Sequence, residues 1–307
     1  MKRIISLLLV CIIVFAAFTG CSANKPDSDK LNIVCTLFPQ YDFARHIGNS
    51  YADISLLLPA GVESHAYEPT PTDIIKIGEC DIFVYIGNEM ETWVSSVMND
   101  IDETKTTVIN VTESLGLSVC THSHDHSSHE ESGVDPHIWT NVLTAISTVE
   151  LIRDVMMEKD PENAAAYAEN AGILLSRYQN LDKRIRETVN SAKRNEIVFA
   201  GRFALRNFTE EYSLDCITAF DSCTEESEPS AARIAEIIDK VNESEIPVIF
   251  YEELKEPKTA ESISKDTGAA MRCFHSCHNL SREDFDNGET YLSLMEKNLE
   301  YLAEALN

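Results

Sequence analysis

Residues Pro161–Ala192 read PENAAAYAENAGILLSRYQNLDKRIRETVNSA, and the architecture turns on this stretch. Pro161 stands in the first turn of a helix, where its missing N–H leaves no bond unmade. Beyond it Ala171, Leu174, Leu175, Tyr178, Leu181, Ile185 and Val189 recur at helical spacing, with charged residues between them. No proline interrupts the run, and Gly172 is its only glycine. A helix of about 32 residues is on the order of 48 Å long. That length spans two lobes, and a single helix makes a stiff connector rather than a hinge.

Outward from this helix, both flanks alternate short β-rich runs with helical patterns. On the N-terminal side the runs are Leu31–Thr36, Ile54–Leu58, Ile82–Ile86 and Thr107–Val111, with helical segments such as Tyr41–Ile47 and Thr72–Gly78 between them. On the C-terminal side they are Glu196–Ala200, Asp215–Ala219, Val248–Tyr251 and Ala270–Phe274, with helices over Arg233–Val241 and Lys258–Thr267. Such alternation builds βαβ units. The expected fold is α/β: two (βα)-type lobes with mostly parallel sheets, residues 31–160 and 194–307, joined by one long rigid helix over 161–193.

The N-terminus carries Lys2 and Arg3, an apolar run from Ile4 to Phe18, and then Thr19-Gly20-Cys21. A basic start, an apolar stretch too short to span a bilayer and a small-residue junction make residues 1–20 an export signal. Cys21 stands at the lipid-acceptor position of a bacterial lipoprotein, with Phe18 where leucine is usual. Residues 21–30 form a polar tether, and no later segment approaches membrane-spanning length. The expected location is extracytoplasmic, anchored to the cell membrane by two acyl chains, which hold better than one.

The formal net charge is −26, and loss of Lys2 and Arg3 with the signal takes it to −28. An acidic surface repels nucleic acid and suits cation handling. Besides Cys11 and Cys21, the cysteines are Cys35, Cys80, Cys120, Cys216, Cys223, Cys273 and Cys277. An odd number scattered along the chain is no disulfide scaffold. Cys273 and Cys277 are spaced for a bridge or a thiolate pair, or are buried as small apolar residues.

Two histidines sit in rigid settings. His65 lies in PAGVESHAYEPTP (59–71), directly after the second strand, where side chains of open α/β sheets face the ligand crevice. Residues Glu68–Asp73 read as a loop entering a capped helix. His137 lies in Val134-Asp135-Pro136-His137-Ile138-Trp139, with Asp135 placed to orient one ring nitrogen. A surface loop reading THSHDHSSHEE (121–131) adds His122, His124, His126 and His129 among carboxylates, a composition that binds zinc weakly and concentrates it.

The order of GVESHAYEPTPTDI, the His-rich loop, DPHIW and Tyr291-Leu292-Ser293 with Met295, Asn298 and Leu299 resembles the zinc/manganese solute-binding proteins of bacterial ABC importers. The likeness extends from about Leu31 to Asn307. It implies two α/β lobes on one rigid helix, and a metal held by His65 and His137. The family's third ligand, a His or Glu, falls here on Arg202, which stays protonated and does not ligate metal. The fourth, commonly Asp, falls in Arg272-Cys273-Phe274-His275-Ser276-Cys277-His278, with His275 preferred to His278. Nitrogen-rich coordination favours zinc over manganese. The remaining position falls to water or to the acidic loop Asp221–Pro229, whose Glu228-Pro229-Ser230 also reads as a helix entry.

The resemblance therefore implies no enzyme. It implies a monomer that captures Zn²⁺ between two lobes and hands it to an ABC transporter permease. Two other readings share the same histidines. One is a zinc-dependent hydrolase, for which the sequence lacks HExxH, a Gly-x-Ser-x-Gly elbow and a phosphate-cradling glycine loop. The other is a surface adhesin with a structural metal.

Overall fold

The computed structural model describes residues 30–117, 135–220 and 228–307. The export signal, Cys21, the tether up to residue 29, and the loop with His122, His124, His126 and His129 lie outside the described residues, as do residues 221–227.

The first lobe is built from β1 (Leu31–Cys35), α1 (Phe38–Gly48), β2 (Ala52–Leu56), α2 (Pro71–Glu79), β3 (Ile82–Tyr85), the one-turn α3 (Val94–Val97), β4 (Thr107–Asn110) and the one-turn α4 (Val111–Ser114). The second contains β5 (Glu196–Phe199) and β6 (Asp215–Thr218), then β7 (Val248–Tyr251) and β8 (Ala270–Cys273). Both sheets are fully parallel, and their strand orders, β2-β1-β3-β4 and β6-β5-β7-β8, are the same. Buried runs such as Ile82-Phe83-Val84-Tyr85 carry apolar residues on both faces, as strands covered on both sides require. In each order the chain reverses direction across the sheet beside the first strand, so a crevice opens at the carboxyl ends there.

Between the lobes run α5 (Val142–Lys159) and α6 (Ala164–Ser191). Pro161 does not open α6. It belongs to a turn in which Asn163 Nδ2 and the Tyr167 hydroxyl both donate to Asp160 Oδ2, at 2.6 and 2.8 Å. That turn folds α5 back along α6, so the connector is one arm of a helical hairpin. The stripe predicted on it is buried from Ala171 to Ile185.

The second lobe is completed by α7 (Arg206–Glu211), α8 (Ala231–Glu243, capped by Ser230), α9 (Lys258–Thr267), α10 (Arg282–Asp286) and α11 (Tyr291–Leu306). Helix α11 packs against α6, and the Tyr291 hydroxyl donates to Trp139 O at 2.7 Å. Apolar side chains of both lobes, α5, α6 and α11 form one continuous core, including Phe43, Tyr178, Phe208 and Tyr291. Leu31–Asn307 is accordingly one compact unit. Cys35, Cys80, Cys216, Cys273 and Cys277 are free thiols, and Cys277 is fully buried.

Candidate metal centre

The loops at the carboxyl ends of both sheets meet, and three imidazoles meet with them. His137 is held most firmly. Asp135 Oδ1 accepts from the His137 backbone N–H at 3.0 Å and from its ring Nδ1–H at 2.5 Å. The ring is fully buried. Burial pushes the Asp135 carboxyl up, but the bonds from His137 outweigh it and hold the carboxyl below its ordinary range. With Nδ1 carrying the proton, Nε2 presents its lone pair.

That lone pair faces His65, whose Nε2 lies 3.3 Å away. Two nitrogens on one tetrahedral zinc, each about 2.05 Å from the ion, stand about 3.3 Å apart. The loop carrying His65 is pinned at both ends. At the far end Thr70 caps α2 in a capping box with Asp73, which also accepts from the Tyr67 hydroxyl at 3.0 Å. At the near end Asn279 Nδ2 donates to Pro59 O and Val62 O at 2.8 and 2.7 Å, and Gly61 N–H donates to Leu280 O at 2.7 Å. Gly61 has φ +83°, a conformation open to glycine at no steric cost. Burial, then the neighbouring His137 and His278, push the His65 imidazole down to about 4. It is neutral at physiological pH, the protonation state a metal requires.

The third ring belongs to His278. Its Nδ1–H donates to Ser276 Oγ, which itself donates to the buried Glu253 at 2.6 Å. Its Nε2 is thereby freed towards the cluster, 4.0 Å from Glu63 Oε1. Burial shifts this imidazole down as well. The His65–His137 centroids are 5.4 Å apart, and His278 stands 6.3 and 6.2 Å from them. Rings sharing one tetrahedral zinc would stand about 5.2 Å apart, so His278 is roughly 1 Å short of closure. Among the described residues, no three His, Cys, Asp or Glu side chains already converge on one metal position.

His275 is not brought to the pair, contrary to the expectation from position. Its Nδ1 accepts from the Cys277 N–H at 2.9 Å, so its lone pair is spent on the backbone. Its ring lines a separate cavity beside Cys273, Asp284 and Lys297. Position alone could not choose between the two. A local signal could have: His65, His137 and His278 each follow a polar residue by two positions, Glu63, Asp135 and Ser276, whose side chain bonds the histidine backbone or ring. Arg202 does stand at the site. It bridges Glu63 of the first lobe and Glu252 of the second, and like Glu253 it carries no imidazole.

The sequence model of ZnuA, the zinc-uptake complex component A, periplasmic, matches residues 33–305. The chain belongs to this family. It is 33% identical to the zinc-binding lipoprotein AdcA of Streptococcus pneumoniae over 99% of its own length and 61% of that protein. It is 31% identical to the high-affinity zinc uptake system protein ZnuA of Bacillus subtilis, over 96% of this chain and 95% of that one. The zinc-bound crystal structure of the ZnuA-like domain of pneumococcal AdcA superposes with a TM-score of 0.74 at 32% identity, covering 90% of this chain and 99% of the domain. The chain thus spans 61% of AdcA, the length of its ZnuA-like part. The α/β fold with two parallel sheets is that of the ZnuA family. Arg202 departs from what the family resemblance implied for that position.

Proposed function

We propose that this ZnuA-family chain captures Zn²⁺ between its lobes on His65, His137 and His278 and delivers it to an ABC permease for import, without turnover. The observation that carries the reading is the His65–His137 Nε2 separation of 3.3 Å, which equals about one edge of a zinc tetrahedron. Three imidazole nitrogens favour zinc over manganese, which prefers oxygen. Trp139 Nε1–H donates to Ser276 O at 2.8 Å across the lobe boundary, so capture requires side-chain closure by about 1 Å rather than a swing of whole lobes. Export by residues 1–20, anchoring through Cys21, a monomeric state and weak zinc collection by His122, His124, His126 and His129 complete the proposal.

Calorimetric titration of the chelator-stripped chain with Zn²⁺ and with Mn²⁺, beside His65→Ala, tests it. Tight one-to-one zinc binding that the variant loses supports capture. Unchanged zinc affinity in the variant refutes the site, and tighter binding of manganese than zinc refutes the cargo.

A further inference from the structure

In the capture reading, three histidines would take three of the four positions a tetrahedral zinc requires. The fourth side of the cluster is occupied by Arg202, and its surroundings are built in detail. The guanidinium Nη2 donates to Glu63 Oε2, while Nε lies 3.7 Å from Glu252 Oε1 without a hydrogen bond. The Arg202 backbone N–H donates to Glu252 Oε2 at 2.8 Å. A Cβ on Gly201 would lie 1.6 Å from that same oxygen, so a side chain there would displace the Glu252 carboxylate. The side chain is 13% exposed. Arg202 is therefore fixed to the second lobe, and its strongest partner belongs to the first.

Glu63 divides its two oxygens. Oε2 meets the guanidinium, while Oε1 accepts from the His65 N–H at 3.5 Å and stands 4.0 Å from the free Nε2 of His278. Burial would push this carboxyl up, but the hydrogen bond and charge of Arg202 hold it below the ordinary range. Glu63, Arg202, His65 and His278 line a cavity of about 20 Å³, room for one water-sized occupant. The other carboxylates nearby are committed: Glu253 binds Ser276 through both oxygens, and Glu252 holds the Arg202 backbone.

We infer that Glu63 is the fourth ligand of the captured metal, and that Arg202 is a resident cation that holds Glu63 in the metal-free site and yields it when the metal enters. The inference rests on the metal-capture reading of the same site. The exchange trades one charge-assisted contact for another, so Zn²⁺ pays for its bond to Glu63 by breaking the Arg202 pair. On release the guanidinium takes the carboxylate back, and the anion is never left unpartnered. Arginine at a position where the resemblance implied a ligand then has a use: it weakens capture and assists release.

A double-mutant cycle on the full chain tests this, with Zn²⁺ affinity measured by competition against a chelator. Glu63→Gln should weaken binding about tenfold or more. Arg202→Gln should tighten binding roughly five- to tenfold, and should change it little in the Glu63→Gln background. Unaltered affinity in Glu63→Gln overturns the inference. So does an Arg202→Gln effect of equal size in both backgrounds, which would be plain charge repulsion. His65→Ala separates the two claims: if it abolishes tight binding while Glu63→Gln does not weaken it, capture stands and the exchange falls. Circular dichroism of each zinc-free variant establishes that it is folded.

Discussion

Asn279→Ala removes the clasp between the loops that carry His65 and His278. Asn279 is fully buried; it donates to Pro59 O and Val62 O and accepts from the Leu280 N–H at 2.8 Å. Pro59 O keeps a bond from the Val62 N–H, so the substitution takes the side-chain bond from two backbone groups, Val62 O and Leu280 N. Val62 is exposed, so water replaces the bond to its carbonyl, while the buried Leu280 N–H is orphaned at about 1–3 kcal/mol. For a chain of this size that lowers Tm by on the order of 3–10 °C. The same bonds set the loop carrying His65 against the segment carrying His278, so zinc affinity should fall about tenfold, since ligand placement depends on outer-shell partners. Calorimetric melting of the zinc-free chain gives the first quantity, and chelator competition gives the second. A Tm change under about 2 °C would refute the hydrogen-bond argument. A full stability loss with unaltered zinc affinity would refute the claim that the clasp positions the ligands.

Three further outcomes follow from the geometry. His278→Gln should lose zinc affinity by about a hundredfold, while His275→Gln should stay within about threefold, because its amide oxygen can accept from Cys277 N–H as the ring does; equal losses in chelator competition would contradict the placement of His278. Asp135→Asn should lower zinc affinity about 10–100-fold with the ligand set intact, and calorimetric titration would count against the orienting role if affinity held. Burial lowers the His65 imidazole from 6.5 to about 4, so between those values the unfolded chain binds more protons than the folded one, and stability falls as pH falls. Thermal melting of the zinc-free chain from pH 7 to pH 4 should show this decline, less steeply in His65→Gln; parallel profiles would refute it.

The sequence by itself determined most of the architecture. Strand positions depend on local runs such as Val248–Tyr251, and the connector stripe depends on spacing along one helix, so both were legible without tertiary information. The same holds for His65 and His137, each held by partners within a few residues: Asp135 for the one, and a Gly61 turn with the Thr70 cap for the other. Pro161 was misleading because a proline suits a helix start and a turn alike, and the Asp160 bonds to Asn163 and Tyr167 decided for the turn. The second-lobe side of the centre was beyond reach for a different reason. His275 and His278 are chemically identical and three residues apart. Which lone pair is free depends on what the backbone of Cys277 and the hydroxyl of Ser276 do to each ring, and Ser276 in turn is set by Glu253, 23 residues away. Arg202 and Glu63 are 139 residues apart and meet only because the two lobes share one core. Contacts of that separation leave no local pattern, so tertiary structure alone decided which charged groups stand beside the histidines.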